Sequence, residues 1–333
     1  MSLLTYDFVV RALLGALFTG LAAPAVGTYL VQRRLALMGD GMGHIAVTGV
    51  ALGLLTGTSP TFTAVVVAII GAVVIEVIRT SGRTSGDVAL ALLFYGGIAG
   101  GVLITGLAGQ GAATLNLYLF GSITTISSSD VLVTVVLAAV VVGVAVGLAP
   151  QLFAVSQDQE FARVAGLDVR FYNLLVSVLA AVTVTVAMRT VGLLLVSALM
   201  VVPVATAQQV TQAFRSTLFA AMGLGMLASV CGVGVSAFLD VAPGATIVLL
   251  ALAGFVAAYP VGVLLRRRRR LALPFTDPGV AFPLPDAHTE VPETHPHEHG
   301  DDCGHPAVTH GDHVDYVHDG HRHAEHGSHY DEH

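Results

Sequence analysis

The sequence predicts an all-α, polytopic membrane protein: a bundle of about nine transmembrane helices followed by a disordered, His-rich C-terminal tail. Of its 333 residues, 54% are hydrophobic and only 11% are charged, so the apolar share exceeds that of ordinary soluble domains. The charge is also divided. Residues 1–270 carry 14 Arg and 9 acidic residues, whereas residues 271–333 carry one Arg, 13 acidic residues and 13 of the 14 His. We therefore expect a transmembrane domain over 1–270 and an acidic tail over 271–333.

Nine apolar runs approach the length of about 20 helical residues that crosses a hydrocarbon core about 30 Å thick. They lie at about 7–31, 35–57, 60–79, 88–109, 131–149, 170–188, 191–208, 217–239 and 243–265. The run 191–208 is the shortest, so eight spans are the alternative. With nine spans, most arginines of the short loops fall on one side, which predicts an outer N-terminus and a cytoplasmic C-terminus. The first run lacks the basic segment of a signal peptide and is expected to be retained.

The second run carries two polar residues that a membrane helix rarely tolerates. Asp40 and His44 are four residues apart and share one helical face. If the helix begins at Leu35, they lie about 8 Å and about 14 Å along it. Such residues normally face a cavity or a partner. Carboxylate oxygen with imidazole nitrogen suits Zn²⁺, Mn²⁺ or Fe²⁺, so the pair is either half of a metal site or a buried Asp–His hydrogen bond.

Other charged residues have simpler interpretations. Glu76 stands three residues before Arg79, which favours an ion pair at the membrane surface. Asp130 stands at the start of a run, where helix capping is expected. The chain contains no lysine, and a phosphate-binding Walker A loop requires one. We therefore expect no ATPase activity from that motif and no enzyme function for this chain.

A polar segment, 155–173, separates the fifth and sixth runs on the predicted cytoplasmic side. Its middle, 157–165, favours a helix that ends at Gly166. The segment is either a docking surface for a partner or an ordinary connecting loop.

The tail beyond Leu271 is rich in Pro, His and acidic residues and poor in apolar ones, which favours disorder without metal. Imidazoles beside carboxylates form interchangeable Zn²⁺ ligands. The candidate tail ligands are His295, His297, His299, His305, His318, His321, His323 and His326.

Four blocks in order resemble the permease subunit of bacterial zinc, manganese and iron ABC importers, the ZnuB-like family. They are `GDGMGHIAVTGVALG` (39–53), `YLFGSITTISSSD` (118–130), `EFARVAGLDVRFYNLL` (160–175) and `VGLLLVSALMVVPVATA` (191–207). The resemblance covers about residues 1–265. Gly41 and Gly43 depart from the family pattern, in which Ala or Ser is usual at these positions. Ser122 also departs from it, since an acidic residue is frequent there.

The resemblance implies a multi-pass protein of the bacterial cytoplasmic membrane that moves a divalent metal, most simply zinc. It implies a separate cytoplasmic ABC ATPase, an extracytoplasmic metal-binding protein and a second permease copy, with no nucleic-acid partner. Asp40 and His44 would coordinate the metal in transit. The segment around Glu160, Ala162 and Gly166 would couple the permease to the ATPase.

A self-contained secondary transporter, such as a cation-diffusion antiporter, is the alternative. That class also pairs intramembrane Asp with His four residues apart. It normally has two such pairs and about six spans, whereas this sequence has one pair and nine apolar runs.

Overall fold

The computed structural model describes residues 6–80, 86–109, 117–122, 124, 126–188, 191–272, 289–290, 303–310, 313–318, 321–326 and 329–332. The chain divides into two compact units, Met1–Ala272 and Leu273–His333. This boundary lies two residues beyond the change in composition at 270.

The first unit is helical. Its helices are α1 (Asp7–Gln32), α2 (Met38–Thr56), α3 (Pro60–Thr80), α4 (Gly86–Leu107), α5 (Ser128–Gly147), α6 (Ala149–Gln157), α7 (Gln159–Val164), α8 (Val169–Ala187), α9 (Leu193–Val210), α10 (Phe214–Leu239) and α11 (Pro243–Ala272). In the described part of the chain, eight of them are long and apolar enough to cross a membrane, and α9 is a shorter apolar helix. The predicted all-α, polytopic bundle is confirmed, and α9 corresponds to 191–208, the shortest of the nine runs, whose exclusion gives the alternative of eight spans.

The most buried helices are α1, α2 and α8, whereas α4, α5 and α11 expose much of their apolar surface. In particular, α2 packs against α3, α4, α8 and α9. The hydrocarbon core of a membrane offers no hydrogen-bond partners, so the backbone N–H and C=O groups of each span must bond to one another within the helix. The helix that carries Asp40 and His44 therefore lies inside the bundle, with neighbours on several sides.

Close backbone approaches hold the bundle together, as expected where apolar burial contributes little to helix association. A Cβ atom on Gly20 of α1 would lie 2.7 Å from the carbonyl oxygen of Gly225 of α10, and one on Gly225 would lie 2.5 Å from that of Gly20. The buried Tyr29 of α1 donates its hydroxyl hydrogen to the Ala145 carbonyl of α5 at 2.5 Å. Small side chains and a few internal hydrogen bonds thus fix the helix positions.

The predicted ion pair and cap are both confirmed. The Arg79 guanidinium lies 3.1 Å from the carboxylate of Glu76, which is only 6% exposed. Ser127 and Asp130 cap α5 reciprocally, since each accepts a hydrogen bond from the other's backbone N–H. Arg33, just beyond α1, belongs to the same charged group as the ion pair: burial, followed by the repulsion of Arg79, lowers the pKa of Arg33 to about 10. The guanidinium therefore stays charged at neutral pH.

The second unit differs from the expected disorder. Its described residues form five short antiparallel strands: β1 (Thr289–Glu290), β2 (Ala307–His310), β3 (His313–His318), β4 (His321–His326) and β5 (His329–Glu332). The sheet order is β1-β5-β4-β3-β2. Composition alone misses this arrangement because it ignores order: residue pairs Gly-Asp, Asp-Gly and Gly-Ser separate β2 to β5, and such pairs are typical of two-residue hairpins.

Candidate metal site

Asp40 lies in the first turn of α2, and His44 lies one turn later. Residues 33–37 form the connection from α1, so α2 begins at Met38 rather than at Leu35. At 1.5 Å per residue, the two side chains lie about 3 Å and about 9 Å from the start of the helix. The pair is therefore closer to the helix terminus than the sequence predicts, and both residues are half-buried.

Helix α9 supplies the direct partner of Asp40. The Ser197 hydroxyl donates a hydrogen bond to Asp40 Oδ1 at 2.5 Å, across 157 residues of sequence. Gly39 allows this approach, since a Cβ there would lie 3.3 Å from Ser197 Cβ and from Met200 Sδ. The hydrogen bond orients the carboxylate and leaves Oδ2 for another partner.

Helix α4 closes the other side of the pair. The rings of His44 and Phe94 meet edge to face, with centroids 4.2 Å apart and an interplanar angle of 71°. The Thr48 hydroxyl donates to the Gly97 carbonyl at 2.7 Å. At Gly97 the α4 backbone touches the α2 backbone, because an added Cβ would lie 2.6 Å from the His44 carbonyl carbon. The position of the imidazole is thus set by α4 as well as by α2.

A cavity of about 370 Å³ lies between α2 and α4. It is lined by Leu37, Asp40, Leu90, Ala91, Phe94 and Tyr95. Among the described residues of its wall, Asp40 is the only charged one, and the others are largely apolar. A cation entering this space would meet the carboxylate without a competing basic side chain from the described part of the wall.

The described residues contain no group of three or more His, Cys, Asp and Glu side chains that could hold a metal. Asp40 and His44 would therefore offer a metal two ligands from one helix. Water in the cavity or a group from a partner would complete the shell. An incomplete protein shell suits a site that must release its ion, since a closed four-ligand site is typical of structural zinc.

Of the expected coupling residues, Glu160 and Ala162 lie in α7 and Gly166 lies just after it. Asp158 caps this helix by accepting from the backbone N–H groups of Glu160 and Phe161 at 2.9 and 3.0 Å. Glu160 also forms an exposed ion pair with Arg163 at 2.8 Å. Ala162 is fully buried, against Val155 and Val169.

Gly166 ends α7 in the left-handed conformation, with φ +83°. Its N–H donates a hydrogen bond to the Arg163 carbonyl, and the Leu167 N–H donates one to the Ala162 carbonyl. These two hydrogen bonds together define a Schellman motif. The predicted helix with its stop at Gly166 is confirmed. Its outer surface carries Phe161 and Val164, which are 67% and 88% exposed. These apolar side chains were not singled out by the sequence reasoning.

The candidate tail ligands are distributed unevenly. His295, His297 and His299 lie outside the described residues, and His305 precedes β2. His318 and His321 are directly opposite each other in β3 and β4. His323 is opposite Tyr316 on one side and Glu332 on the other, and His326 is opposite His329.

Comparisons with known proteins place the helical unit in a transport family. Residues 5–262 match the profile of the ABC 3 transport family. The chain is 31% identical over 258 residues to the manganese transport system membrane protein MntC of Halalkalibacterium halodurans, covering 77% of this chain and 88% of that one. It is 27% identical over 251 residues to the high-affinity zinc uptake system membrane protein ZnuB of Haemophilus influenzae, covering 75% and 96%.

A solved structure shares the fold over most of the helical unit. It is PsaBC from Streptococcus pneumoniae in complex with Fab, which superposes with a TM-score of 0.72 at 29% identity and covers 80% of this chain and 97% of that chain. Residues beyond 262, which include the end of α11 and the whole tail, lie outside the family match.

Proposed function

The chain belongs to the ABC 3 transport family, and from this premise we propose that it is the permease of an importer for a divalent transition metal, with zinc as the cargo. The single observation that carries the proposal is the Asp40–His44 pair on α2: Asp40 lines the cavity and accepts from Ser197 of α9, and His44 packs against Phe94 of α4. The helical unit is a multi-pass membrane protein of the cell membrane. Its relatives include membrane proteins of a manganese transport system and of a zinc uptake system.

In the proposed mechanism the metal is cargo, bound in transit by Asp40 Oδ2 and an imidazole nitrogen of His44. A carboxylate oxygen and an imidazole nitrogen suit Zn²⁺ and also Mn²⁺. Ser197 keeps Asp40 aligned by its hydrogen bond to Oδ1. Because α4 and α9 each hold one member of the pair, a relative movement of these two helices would alter the metal geometry and promote release.

The choice of zinc over manganese rests on the tail. Both metals occur in the names of relatives, so the family does not select between them. Thirteen His in residues 271–333 provide nitrogen ligands, which suit Zn²⁺ better than the oxygen-preferring Mn²⁺. We propose that the tail binds arriving zinc on the cytoplasmic side through histidines that include His295, His297, His299, His305, His318, His321, His323 and His326.

Three partners complete the proposed importer: a cytoplasmic ABC ATPase, an extracytoplasmic metal-binding protein and a second copy of the permease. The exposed apolar pair Phe161 and Val164 favours α7 as the ATPase contact, since the helix is capped by Asp158, ended by Gly166 and anchored by Ala162. A short, rigid helix with two large exposed apolar side chains presents a defined docking surface.

Val164→Asp is expected to weaken ATPase binding by about 2 kcal/mol, or roughly 30-fold, because it places a charge at an apolar contact. The measurement is co-purification of the ATPase together with ATP-dependent uptake. Val314→Asp is the matched control, since Val314 is an exposed valine in the tail. Unchanged ATPase binding in the Val164 variant would remove α7 as the docking helix.

Reconstitution in liposomes tests the function as a whole. We expect the chain with its ATPase, its binding protein and ATP to accumulate zinc, and the chain alone to accumulate none. Zinc uptake should persist in a tenfold excess of manganese. Metal transport by the chain alone, driven by a proton gradient, would instead establish a secondary antiporter, and preferential manganese uptake would correct the choice of metal.

A further inference from the structure

Phe94 of α4 lies between His44 and the cavity beside α2. The described residues that line the cavity include Asp40 and Phe94 but not His44. The imidazole of His44 instead meets the ring of Phe94 edge to face, with centroids 4.2 Å apart. The two proposed metal ligands therefore have different surroundings, since Asp40 faces the cavity and His44 faces an aromatic ring.

The register of α2 against α4 explains this placement. Near the start of α2, a Cβ on Gly41 would lie 2.5 Å from Cδ1 of Leu90. Farther along, a Cβ on Gly97 would lie 2.6 Å from the His44 carbonyl carbon. Phe94 stands between Leu90 and Gly97 on α4, so its level on α2 is between Gly41 and His44. Its ring therefore closes the end of the cavity that is nearer the imidazole.

Phe94 is less confined than its neighbours on α4. Leu90 and Leu93 pack against the main buried core. The ring of Phe94 instead contacts His44 on one side and Tyr95 on the other, with centroids 5.5 Å apart for the second pair. Tyr95 is itself 68% exposed, and the adjoining cavity measures about 370 Å³. The phenyl ring therefore has space to adopt another staggered rotamer without a movement of the helix.

An ion that binds both proposed ligands has to displace this ring from His44. Zinc bonds to oxygen and nitrogen are only about 2.0–2.2 Å long, so an ion that enters the cavity at Asp40 reaches the imidazole only after the ring has turned aside. An edge-to-face aromatic contact contributes roughly 2- to 12-fold to an equilibrium constant. A bond to imidazole offsets this loss for Zn²⁺, whereas Mg²⁺ prefers oxygen ligands and gains little from His44.

We propose that Phe94 is a gate residue, which covers His44 and turns aside for a cation that binds imidazole. The identity of the cation and the ligand roles of Asp40 and His44 rest on the proposed function; the covering of His44 does not. With the ring closed, a cation in the cavity meets Asp40 alone. With the ring open, the cation is held by both side chains, and return of the ring to His44 favours its release.

Acylation of His44 by diethyl pyrocarbonate measures the covering directly. The full-length protein is used in lipid nanodiscs, without ATP. His44 is the only histidine of residues 1–270, so mass spectrometry distinguishes its peptide from those of the tail. Phe94→Ala removes the ring, and Phe94→Leu is a milder second variant. Leu37→Ala is the matched control, because Leu37 lines the same cavity, is 69% exposed and leaves the contact of Phe94 with His44 in place.

We expect Phe94→Ala to raise the rate of His44 acylation at least about threefold, because a covered group reacts only in the fraction of molecules that uncover it. Phe94→Leu should raise it less, and Leu37→Ala should leave it unchanged. Gel filtration and the unfolding temperature check that each variant is folded; if Phe94→Ala is not, the comparison rests on Phe94→Leu. An unchanged rate in the folded Phe94 variants, or an equal increase in Leu37→Ala, would overturn the proposal.

Protection of His44 by buffered free zinc provides the second measurement. The zinc concentration that halves acylation should fall about fivefold in Phe94→Ala, because the closed ring no longer competes with the metal. A ring that only supports the imidazole predicts the opposite change, and an increase in this concentration would contradict the gate. If zinc protects His44 in none of the proteins, wild type included, the proposed function fails while the acylation rates still decide whether Phe94 covers His44.

Discussion

Asp40→Ala and His44→Ala are each expected to abolish metal uptake while the permease still assembles in the membrane. Each substitution removes one of the two ligands that we propose for α2, and no group of three or more ligating side chains exists among the described residues to replace it. Loss of one of two protein ligands should leave less than about 1% of uptake, by analogy with the 10–100-fold losses that follow from disturbing even a residue that only supports a ligand. The measurement is initial uptake in the reconstituted importer.

Ser197→Ala provides a graded comparison, since it removes the hydrogen bond to Asp40 Oδ1 and keeps both ligands. We expect metal affinity to fall about tenfold, with the maximal rate less affected. Asp7→Ala is the control, because Asp7 is an exposed carboxylate at the start of α1. Normal metal accumulation in both the Asp40 and His44 variants would eliminate this pair as the transport site.

Gly97→Ala is expected to destabilise the bundle and to impair transport together. The added Cβ would lie 2.6 Å from the carbonyl carbon and 2.7 Å from the carbonyl oxygen of His44. These are backbone atoms of a buried helix, so α4 must move away from α2. Overpacking of this kind costs about 1–3 kcal/mol. Thermal unfolding in detergent and zinc uptake are the two measurements.

The neighbouring Gly96 is a matched control for this substitution. It lies in the same helix, and an added Cβ there meets nothing within 4 Å. Gly96→Ala should leave both uptake and unfolding temperature close to wild type, since alanine favours a helix more than glycine does. Similar behaviour of the two variants would mean that the contact of α4 with His44 does not position the imidazole.

The helical unit was predictable because hydrophobic runs and turn clusters are local signals. Asp40 and His44 were also visible locally, as polar residues four apart in an apolar helix. Ser197 was not, because its role depends on α9 crossing α2 across 157 residues of sequence. Gly97 looked like any other small residue of a membrane helix until its contact with the His44 backbone was known.

The tail shows a different failure of sequence reasoning. Composition placed it among disordered, metal-binding segments, whereas the order of its residues sets a register. The spacing that repeats every eight residues from His310 to His329 could have indicated hairpins. It was overlooked because abundant Pro and acidic residues nearer residue 271 dominate the average composition.

The anchoring of α7 has a mechanical consequence. Ala162 packs with Val155 and Val169, so α7, the proposed docking helix, is joined to the first turn of α8 by a small apolar contact. Helix α8 spans 19 residues and touches α2 and α3, and at 1.5 Å per residue it is about 28 Å long. If α7 docks the ATPase, α8 is a continuous, rigid helix between the docking surface and the interior of the bundle. A displacement of Phe161 and Val164 would then be transmitted through α8 to α2, the helix of the proposed metal site.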